Sequence, residues 1–240
     1  MARRVPLDNV EHAQLRVAAG PTKDLSVNQA LVVPSEFEEL QREFPILFRR
    51  DSDGNFQAVA ILGLDRGENL FISGSGWSTR YAPAALRRGT FFLAVNEEDT
   101  SSEPAIVVDL DDARVSETDG EPLFLSHGGA APSLQQAAAA LRTVHEGLEL
   151  SRAMFALFAE FDLIAPVEIN VDLGDGTHYR LADLFTVGAE HLAALPGFAL
   201  ERLNRAGFLA AAIHARSSLA NVNRLIELKT TKLADEATDA

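Results

Sequence analysis

The sequence predicts an α+β fold, with a largely antiparallel β-sheet from the N-terminal half packed by helices of the C-terminal half. Short apolar runs between turns rich in Gly and Asp occupy residues 1–126. A helical periodicity begins near residue 133 and extends over most of residues 133–233, where one hairpin pattern interrupts it. Because strands are grouped before helices rather than alternating with them, α+β is favoured over a parallel α/β fold. We expect one integrated domain, with a frayed tail at residues 234–240.

The strand-rich half opens with a helix predicted at residues 34–43, in which Ser35 is the N-cap and Glu38 completes a capping box. Apolar runs then flank a turn of Asp, Gly and Asn residues, which predicts an antiparallel hairpin. The strands of this hairpin and two further strands are expected at residues 44–50, 56–64, 91–95 and 105–110.

A long amphipathic helix is predicted from Ser133 to about Asp162, directly after Pro132. Ser133 is the expected N-cap, with Gln136 in the capping-box position. One apolar stripe runs along it and comprises Leu134, Ala137, Leu141, Val144, Leu148, Phe155 and Phe158. This stripe is expected to pack in the core of the chain, although it could also form the interface of a homo-oligomer.

The remaining residues predict one hairpin and three helices. The hairpin, at residues 167–184, turns on a Gly-Asp-Gly sequence and could join the first sheet. The helices are expected at residues 188–195, 197–206 and 208–228.

Composition and charge restrict the function. The 240 residues carry 21 Lys and Arg against 35 Asp and Glu, for a formal net charge of −14. Such a chain repels polyanions on average, so nucleic acid and anionic membrane surfaces are disfavoured as partners. The absence of cysteine excludes disulfides and thiolate chemistry. Neither a signal peptide nor a run of 18 apolar residues is recognisable, so we expect a cytoplasmic location without membrane insertion.

Motifs for catalysis, metals and cofactors are not recognisable. The six histidines include no H-x-x-x-H or H-x-H pair, so we expect neither a metal nor a cofactor, and the catalytic residues are unknown. His214 is distinctive because it follows an apolar run. It could be a core-edge histidine held by a hydrogen bond, a general base, or a metal ligand together with Asp109 and Asp111.

A segment of arginines and aromatic residues suggests ligand binding. Trp77, Arg80, Tyr81 and the pair Arg87 and Arg88 concentrate cations and rings in an otherwise acidic chain. Arginine binds carboxylates and phosphates bidentately, and a neighbouring ring can stack on a ligand. Alternatively, these arginines pair with the protein's own carboxylates and the rings fill the core. The candidate ligand-binding residues are Asn69, Trp77, Arg80, Tyr81, Arg87, Arg88 and His214.

Two of these stretches also carry a family resemblance. The sequence GENLF at residues 67–71, followed by RYAPAALRR at residues 80–88, resembles the bacterial SapC family. Ala85 stands where the family usually has an aromatic residue, and Gly89-Thr90 where it has Tyr-Pro. Further similar positions are Val5-Pro6-Leu7, GEPLF at 120–124, Leu181, Leu184, Phe185, Val187, His214 and Ser217.

The resemblance implies a role rather than a mechanism. SapC-like proteins resemble proteins encoded beside TonB-dependent receptors and halogenase-like proteins. The resemblance therefore implies an accessory role in surface-associated uptake or modification of a small molecule or peptide. We therefore expect a non-enzymatic protein that binds a small acidic molecule or peptide, and the resemblance implies proteins of that gene neighbourhood as further partners. The alternative is an enzyme, or the subunit of one, that uses His214 as base or metal ligand.

Overall fold

Antiparallel sheets come mostly from the first half of the chain and the long helices from the second half, so the computed structural model confirms the predicted α+β fold. It describes residues 3–18, 25–73, 76–94, 104–174 and 176–238. Residues 95, 175, 239 and 240, which belong to predicted elements, lie outside these ranges. Among the described residues, we find no helix that combines the length and the apolar character needed to span a membrane.

The strands are β1 (Arg4–Pro6), β2 (Arg16–Val17), β3 (Gln29–Val32), β4 (Ile46–Arg50), β5 (Phe56–Ile61), β6 (Ile72–Ser73), β7 (Gly76–Trp77), β8 (Phe91–Ala94), β9 (Ala105–Asp109), β10 (Val115–Ser116), β11 (Glu121–Pro122), β12 (Ile164–Asp172) and β13 (His178–Val187). The α-helices are α1 (Phe37–Leu40), α2 (Ala84–Arg87), α3 (Pro132–Glu160), α4 (Ala189–Ala193), α5 (Gly197–Arg205), α6 (Phe208–Ser217) and α7 (Val222–Thr238). Short 3₁₀ helices lie at Pro34–Glu36 and Ser218–Asn221.

The chain divides into two compact units, each assembled from two separate stretches. Unit 1 contains residues 1–21 and 84–145, and unit 2 contains residues 22–83 and 146–240. The expectation of one integrated domain, with a strand-rich half at 1–126 and a helical half at 133–233, stays a prediction.

Unit 1 is built on two small antiparallel sheets. Their strand orders are β1-β9-β8 and β10-β2-β11. The first residues of α3 supply Leu134 and Leu141 to an apolar core that also contains Phe91, Val108 and Leu123. The N-terminal part of the predicted stripe is therefore used inside this unit, where its burial stabilises the packing of helix and sheet.

Unit 2 is built on a five-stranded antiparallel sheet with the order β12-β13-β4-β5-β3. The predicted hairpin is confirmed as β4 and β5, and the second hairpin, β12 and β13, joins this sheet where Phe185 pairs with Phe48. Phe155 and Phe158 of α3 pack on Phe48, with ring centroids 5.0 and 6.2 Å away. The stripe of α3 thus covers a sheet in this unit too.

Both predicted N-caps are wrong. The first helix is preceded by Val33, whose N–H donates to Glu36 Oε2 at 3.2 Å, and Pro34 fills the first helical position. Proline is suited to that position because its missing N–H would have no helical partner there. Helix α3 begins at Pro132 rather than after Ser133, and the Ser133 hydroxyl donates to the Pro122 carbonyl at 2.9 Å.

The helix predicted at residues 208–228 is interrupted. Ser218 is fully buried, and its hydroxyl donates to the Ala215 carbonyl at 2.7 Å while accepting the Ile46 N–H at 2.8 Å. A serine bonded back to its own helix competes with the regular helical pattern, and here a short 3₁₀ segment replaces it. Helix α7 then continues to Thr238, into the tail for which fraying was expected.

Candidate binding site

The segment from Trp77 to Tyr81 is held in unit 2 by hydrogen bonds to its neighbours. Ser78 follows β7, and both its N–H and its hydroxyl donate to the Phe71 carbonyl, at 2.8 and 3.1 Å. The Trp77 ring is half-buried and packs edge-on against Phe44, with ring centroids 6.4 Å apart. This segment therefore has a defined position next to α1 and its following turn.

Tyr81 is anchored by a buried carboxylate. Its hydroxyl donates to Glu36 Oε1 at 3.0 Å, and Glu36 is only 2% exposed. The other oxygen of Glu36 accepts the Val33 N–H, so the same carboxylate caps a helix and holds the phenol. The Tyr81 hydroxyl thus stabilises the internal structure. The Tyr81 ring is half-buried, and Tyr81 follows Arg80 in the sequence.

Three arginines line a surface depression of about 440 Å³ in unit 2, together with Glu39 and Glu43. They are Arg42, Arg80 and Arg224, and we call this feature the arginine depression. Glu43 organises it, because its Oε1 accepts the Arg80 N–H at 2.9 Å and its Oε2 pairs with Arg224 Nη1 at 3.1 Å.

The three guanidinium groups differ in how far they are neutralised. Arg42 pairs with Glu38 at 3.3 Å and Glu39 at 3.1 Å, and Arg224 pairs with Glu43 and lies 5.6 Å from the Phe71 ring centroid. The exposed Arg80 guanidinium has no hydrogen bond or ion pair to any residue that the structure describes. With Glu38, which pairs with Arg42, three carboxylates face the three arginines, and Arg80 is the one guanidinium of the lining without an acidic partner among the described residues.

Asn69 serves the backbone and does not line the arginine depression. Its side-chain amide donates to the Leu25 carbonyl at 3.1 Å and accepts the Phe71 N–H at 3.0 Å. Both ends of the amide are thus engaged in holding a loop, as is common for asparagine in turns. Its predicted role in ligand binding remains a prediction.

Arg87 and Arg88 belong to unit 1. Arg88 Nη1 donates to the Phe91 carbonyl at 2.7 Å, and its guanidinium carbon lies 4.6 Å from the Phe92 ring centroid. Arg4 lies 4.1 Å from the same ring. Arg87 is exposed at the end of α2. Arg88 therefore contributes to internal packing of unit 1, whereas Trp77, Arg80 and Tyr81 belong to unit 2.

His214 lies half-buried on α6 in unit 2, whereas Asp109 and Asp111 belong to unit 1. Asp109 Oδ1 accepts the Asp111 N–H at 3.1 Å, and Asp111 Oδ2 accepts the Arg3 N–H at 3.0 Å. Across the described ranges, no group of three or more His, Asp or Glu side chains is arranged to hold a metal ion. No described contact favours His214 as a base.

Sequence reasoning missed a buried ion cluster that involves Glu68, inside the GENLF stretch. Lys229 Nζ lies 2.5 Å from Asp65 Oδ2 and 2.8 Å from Glu68 Oε1, and Lys232 Nζ lies 2.9 Å from Glu68 Oε1. The side chains of Glu68 and Lys229 are each 5% exposed. Lysines on a final helix predict only a solvated face, so the pairing of these residues was not recognisable before the fold was known.

The cluster shifts the acidity of its members. Burial alone raises the pKa of Glu68, but the hydrogen bonds from Lys229, Lys232 and the Asp65 N–H outweigh it and lower the pKa to about 2. Burial alone lowers the pKa of Lys229, and its hydrogen bonds to Asp65 and Glu68 reverse that effect and raise it. Both groups are therefore charged at neutral pH, and they fasten α7 to the loop before β6.

Arg42 and Arg224 were also missed as members of the candidate site. Arg42 follows two glutamates at helical spacing, which predicts an ordinary surface ion pair. Arg224 is far from Arg80 in the sequence and is brought to it by the interruption at 218–221 and the start of α7. No local pattern encodes that proximity.

Comparison with known proteins identifies the family of the chain. The family model named SapC matches residues 7–225 of the chain, which is most of its length. Neither the curated proteins nor the solved structures include a match.

Proposed function

The chain belongs to the SapC family, and we propose that it acts as a non-enzymatic binding protein for a small acidic molecule or acidic peptide. The ligand's carboxylates bind in the arginine depression, where Arg80 is the principal contact. Arg42 and Arg224 line the same depression but are paired with glutamates, and Trp77 lies three residues from Arg80 in the sequence.

The observation that supports this proposal is the state of Arg80. Its backbone is fixed by Glu43, whereas its guanidinium group has no ion-pair partner among the described residues. Arg66 also has no ion pair to any described residue, and Arg80 differs from it because it lines the depression beside Arg42 and Arg224. Guanidinium groups bind carboxylates through two parallel hydrogen bonds, so Arg80 offers a ready site for an external one.

The size of the arginine depression sets the ligand class. Its volume of about 440 Å³ lies in the range of roughly 300–1,000 Å³ that is typical of small-molecule sites. Glu39 and Glu43 partly neutralise Arg42 and Arg224, so Arg80 is the group of the lining left to bind a carboxylate of the ligand. A molecule with two or more carboxylates, or an acidic peptide of a few residues, fits this arrangement.

Isothermal titration calorimetry with a tetraglutamate peptide and with citrate tests the proposal. We expect saturable binding to the wild-type protein, and Arg80→Gln should weaken it by about tenfold, the effect of losing one charge-assisted hydrogen bond. Arg66→Gln is the control, because Arg66 is exposed in the same unit and does not line the depression. Equal affinities for Arg80→Gln and wild type, or no binding by the wild type, would contradict the proposal.

We further propose that binding serves an accessory role in surface-associated uptake or modification, together with proteins of the gene neighbourhood that the resemblance implies. A pull-down from cells that express the TonB-dependent receptor and halogenase-like protein of that neighbourhood tests this part. Co-purification of either protein supports the role. Loss of co-purification with the Arg80→Gln variant would indicate that the ligand or the arginine depression mediates the contact with the partner protein.

A further inference from the structure

A second cavity in unit 2 has a different chemical character. It is a groove of about 820 Å³ between the end of the β4–β5 hairpin and helix α3. Leu31 and Phe56 line it from the sheet, and Leu148, Phe155 and Ala156 line it from the helix. It shares no lining residue with the arginine depression, and we call it the aromatic groove.

The wall of the aromatic groove is rigid because its rings hold one another. Phe56 stacks on Phe155 with ring centroids 5.8 Å apart and planes inclined by 29°. Phe56 also packs edge-on against Phe185 at 5.1 Å, and Phe155 packs edge-on against Phe48 at 5.0 Å. Four rings linked by these three contacts have little rotational freedom, so an apolar ligand would meet a preformed surface.

Leu148 marks the open part of this groove. It belongs to the apolar stripe that sequence analysis assigned to the core, yet it is 39% exposed. The other stripe residue at the groove, Phe155, is 6% exposed. An apolar side chain left accessible beside an aromatic wall is a surface that an apolar ligand can cover.

One cation is fixed at the end of the aromatic groove. The guanidinium carbon of Arg50 lies 4.2 Å from the Phe56 ring centroid and 5.7 Å from that of Phe185, and its Nη1 donates to the Gly54 carbonyl at 2.7 Å. Arg50 is exposed, and within the described ranges no carboxylate pairs with it. Ring contacts and one hydrogen bond thus hold the guanidinium in place while its other N–H groups remain available.

Two other charged groups of the lining are engaged with neighbouring residues. Asp51 Oδ1 accepts the N–H groups of Asp53 and Asn55 at 2.9 and 2.8 Å, which locks the hairpin turn. Arg152 pairs with Glu149 on its own helix. With Glu149 counted, three carboxylates stand against two arginines, and Arg50 is the one preorganised cation of the lining without an acidic partner among the described residues.

We propose that the aromatic groove binds a hydrophobic carboxylate, a molecule with one carboxylate on an extended apolar or aromatic body. The body lies against Phe56, Phe155 and Leu148, and the carboxylate accepts hydrogen bonds from Arg50. This ligand class differs from the multiply acidic ligand of the arginine depression, and the inference does not depend on the function proposed for that site.

Titration calorimetry with decanoate tests the inference. We expect the wild-type protein to bind decanoate saturably, and Arg50→Gln to weaken this binding by about tenfold while binding of the uncharged decanol is unchanged. Arg49→Gln is the matched control, because Arg49 is the neighbouring exposed residue on β4 and does not line the groove. The Arg80→Gln variant should bind decanoate as the wild type does, which separates the two sites.

A second variant tests the location without altering the hairpin. Ala156 is exposed on α3 and lines the groove, so Ala156→Trp should fill it and abolish binding of decanoate and decanol. Ala153 is exposed on the same helix outside the groove, and Ala153→Trp should bind both as the wild type does. Circular dichroism should show equal helix content in the two variants.

Three results would overturn the inference. The first is an absence of decanoate binding to the wild-type protein. The second is decanoate binding that neither Arg50→Gln nor Ala156→Trp weakens. The third is tighter binding of decyltrimethylammonium than of decanoate, which would assign the groove to cations through Asp51 and Asp53.

Discussion

Arginines that look equivalent in the sequence have different roles in the structure. Arg88 stacks on Phe92 and bonds to a carbonyl, whereas Arg80 has a fixed backbone and an unpaired guanidinium among the described contacts. Composition could identify this basic-aromatic segment as unusual. It could not separate the two roles, because Arg88 contacts the nearby Phe91 and Phe92, whereas the position of Arg80 depends on Glu43, which lies far away in the sequence.

The first prediction at the residue scale concerns the buried carboxylate of Glu68. One carboxylate oxygen of Glu68 accepts a hydrogen bond from Lys229, and the other accepts from the Leu64 and Asp65 N–H groups. The single amide oxygen in Glu68→Gln cannot replace both. We expect a loss of about 2–3 kcal/mol in the free energy of unfolding, less than the roughly 3–5 kcal/mol for removing a sole partner, because Asp65 still pairs with Lys229.

Urea denaturation at neutral pH measures this loss. Glu227→Gln is the control, since Glu227 is exposed on the same helix as Lys229 and should change stability by less than about 0.5 kcal/mol. A Glu68→Gln protein as stable as the wild type would show that the Glu68 carboxylate contributes nothing to holding α7.

The same carboxylate predicts a pH dependence. The pKa of Glu68 is about 2 in the folded protein, against about 4.3 in an unfolded chain. Its stabilising effect is therefore complete above pH 4.3 and is lost as the pH falls towards 2. Between pH 6.5 and pH 3.5 the wild type should lose about 1 kcal/mol more than Glu68→Gln, as measured by urea denaturation at both values. An equal loss in both proteins would mean that Glu68 titrates normally.

At the scale of elements, the prediction concerns the packing of α3 on the sheet. A Cβ built at Gly147 would lie 2.4 Å from Val33 Cβ, and Val33 is 1% exposed. The higher helix propensity of alanine would stabilise α3 by about 1 kcal/mol, but the overlap of its Cβ with the buried Val33 side chain would destabilise the protein by more. Gly147→Ala should therefore destabilise the protein by about 1–3 kcal/mol.

Gly197 provides the matched control, because a Cβ there meets no atom within 4 Å. Gly197→Ala should be neutral or slightly stabilising, since alanine restricts the unfolded chain. Thermal unfolding of both variants measures the difference. If Gly147→Ala were the more stable of the two, helix propensity would outweigh the close approach of α3 to Val33.

Elements were predictable where the signal is local. The β4–β5 hairpin, β8, β9 and α3 follow from apolar periodicity and turn residues, and all are present. The caps and the interruption after α6 were not predictable. They depend on partners across the fold, such as Pro122 for Ser133 and Ile46 for Ser218. Periodicity also placed Leu148 in the core, although it lies at the open side of the aromatic groove.

At the scale of the whole molecule, the net charge of −14 opposes the capture of an acidic ligand. At about 0.01 M salt the Debye length is about 30 Å, so the ligand is repelled by the net negative charge of the whole chain. At about 0.15 M salt the Debye length is about 8 Å, so only charges near the ligand act on it. The affinity for tetraglutamate should therefore rise from 0.01 M to about 0.15 M salt and fall at higher salt, as measured by calorimetry. A steady decline from the lowest salt would mean that local arginines dominate at every distance.

The most direct measurement of the central claim uses Trp77, the one tryptophan of the chain. Its ring contacts Phe44, which contacts Phe71, and Arg224 of the arginine depression lies over Phe71. Tetraglutamate titrated at 0.15 M salt should change Trp77 fluorescence saturably in the wild type and in Arg66→Gln. In Arg80→Gln the midpoint should lie at about tenfold higher peptide concentration. Superimposable curves for the wild type and Arg80→Gln would contradict the assignment of Arg80 as the principal ligand contact.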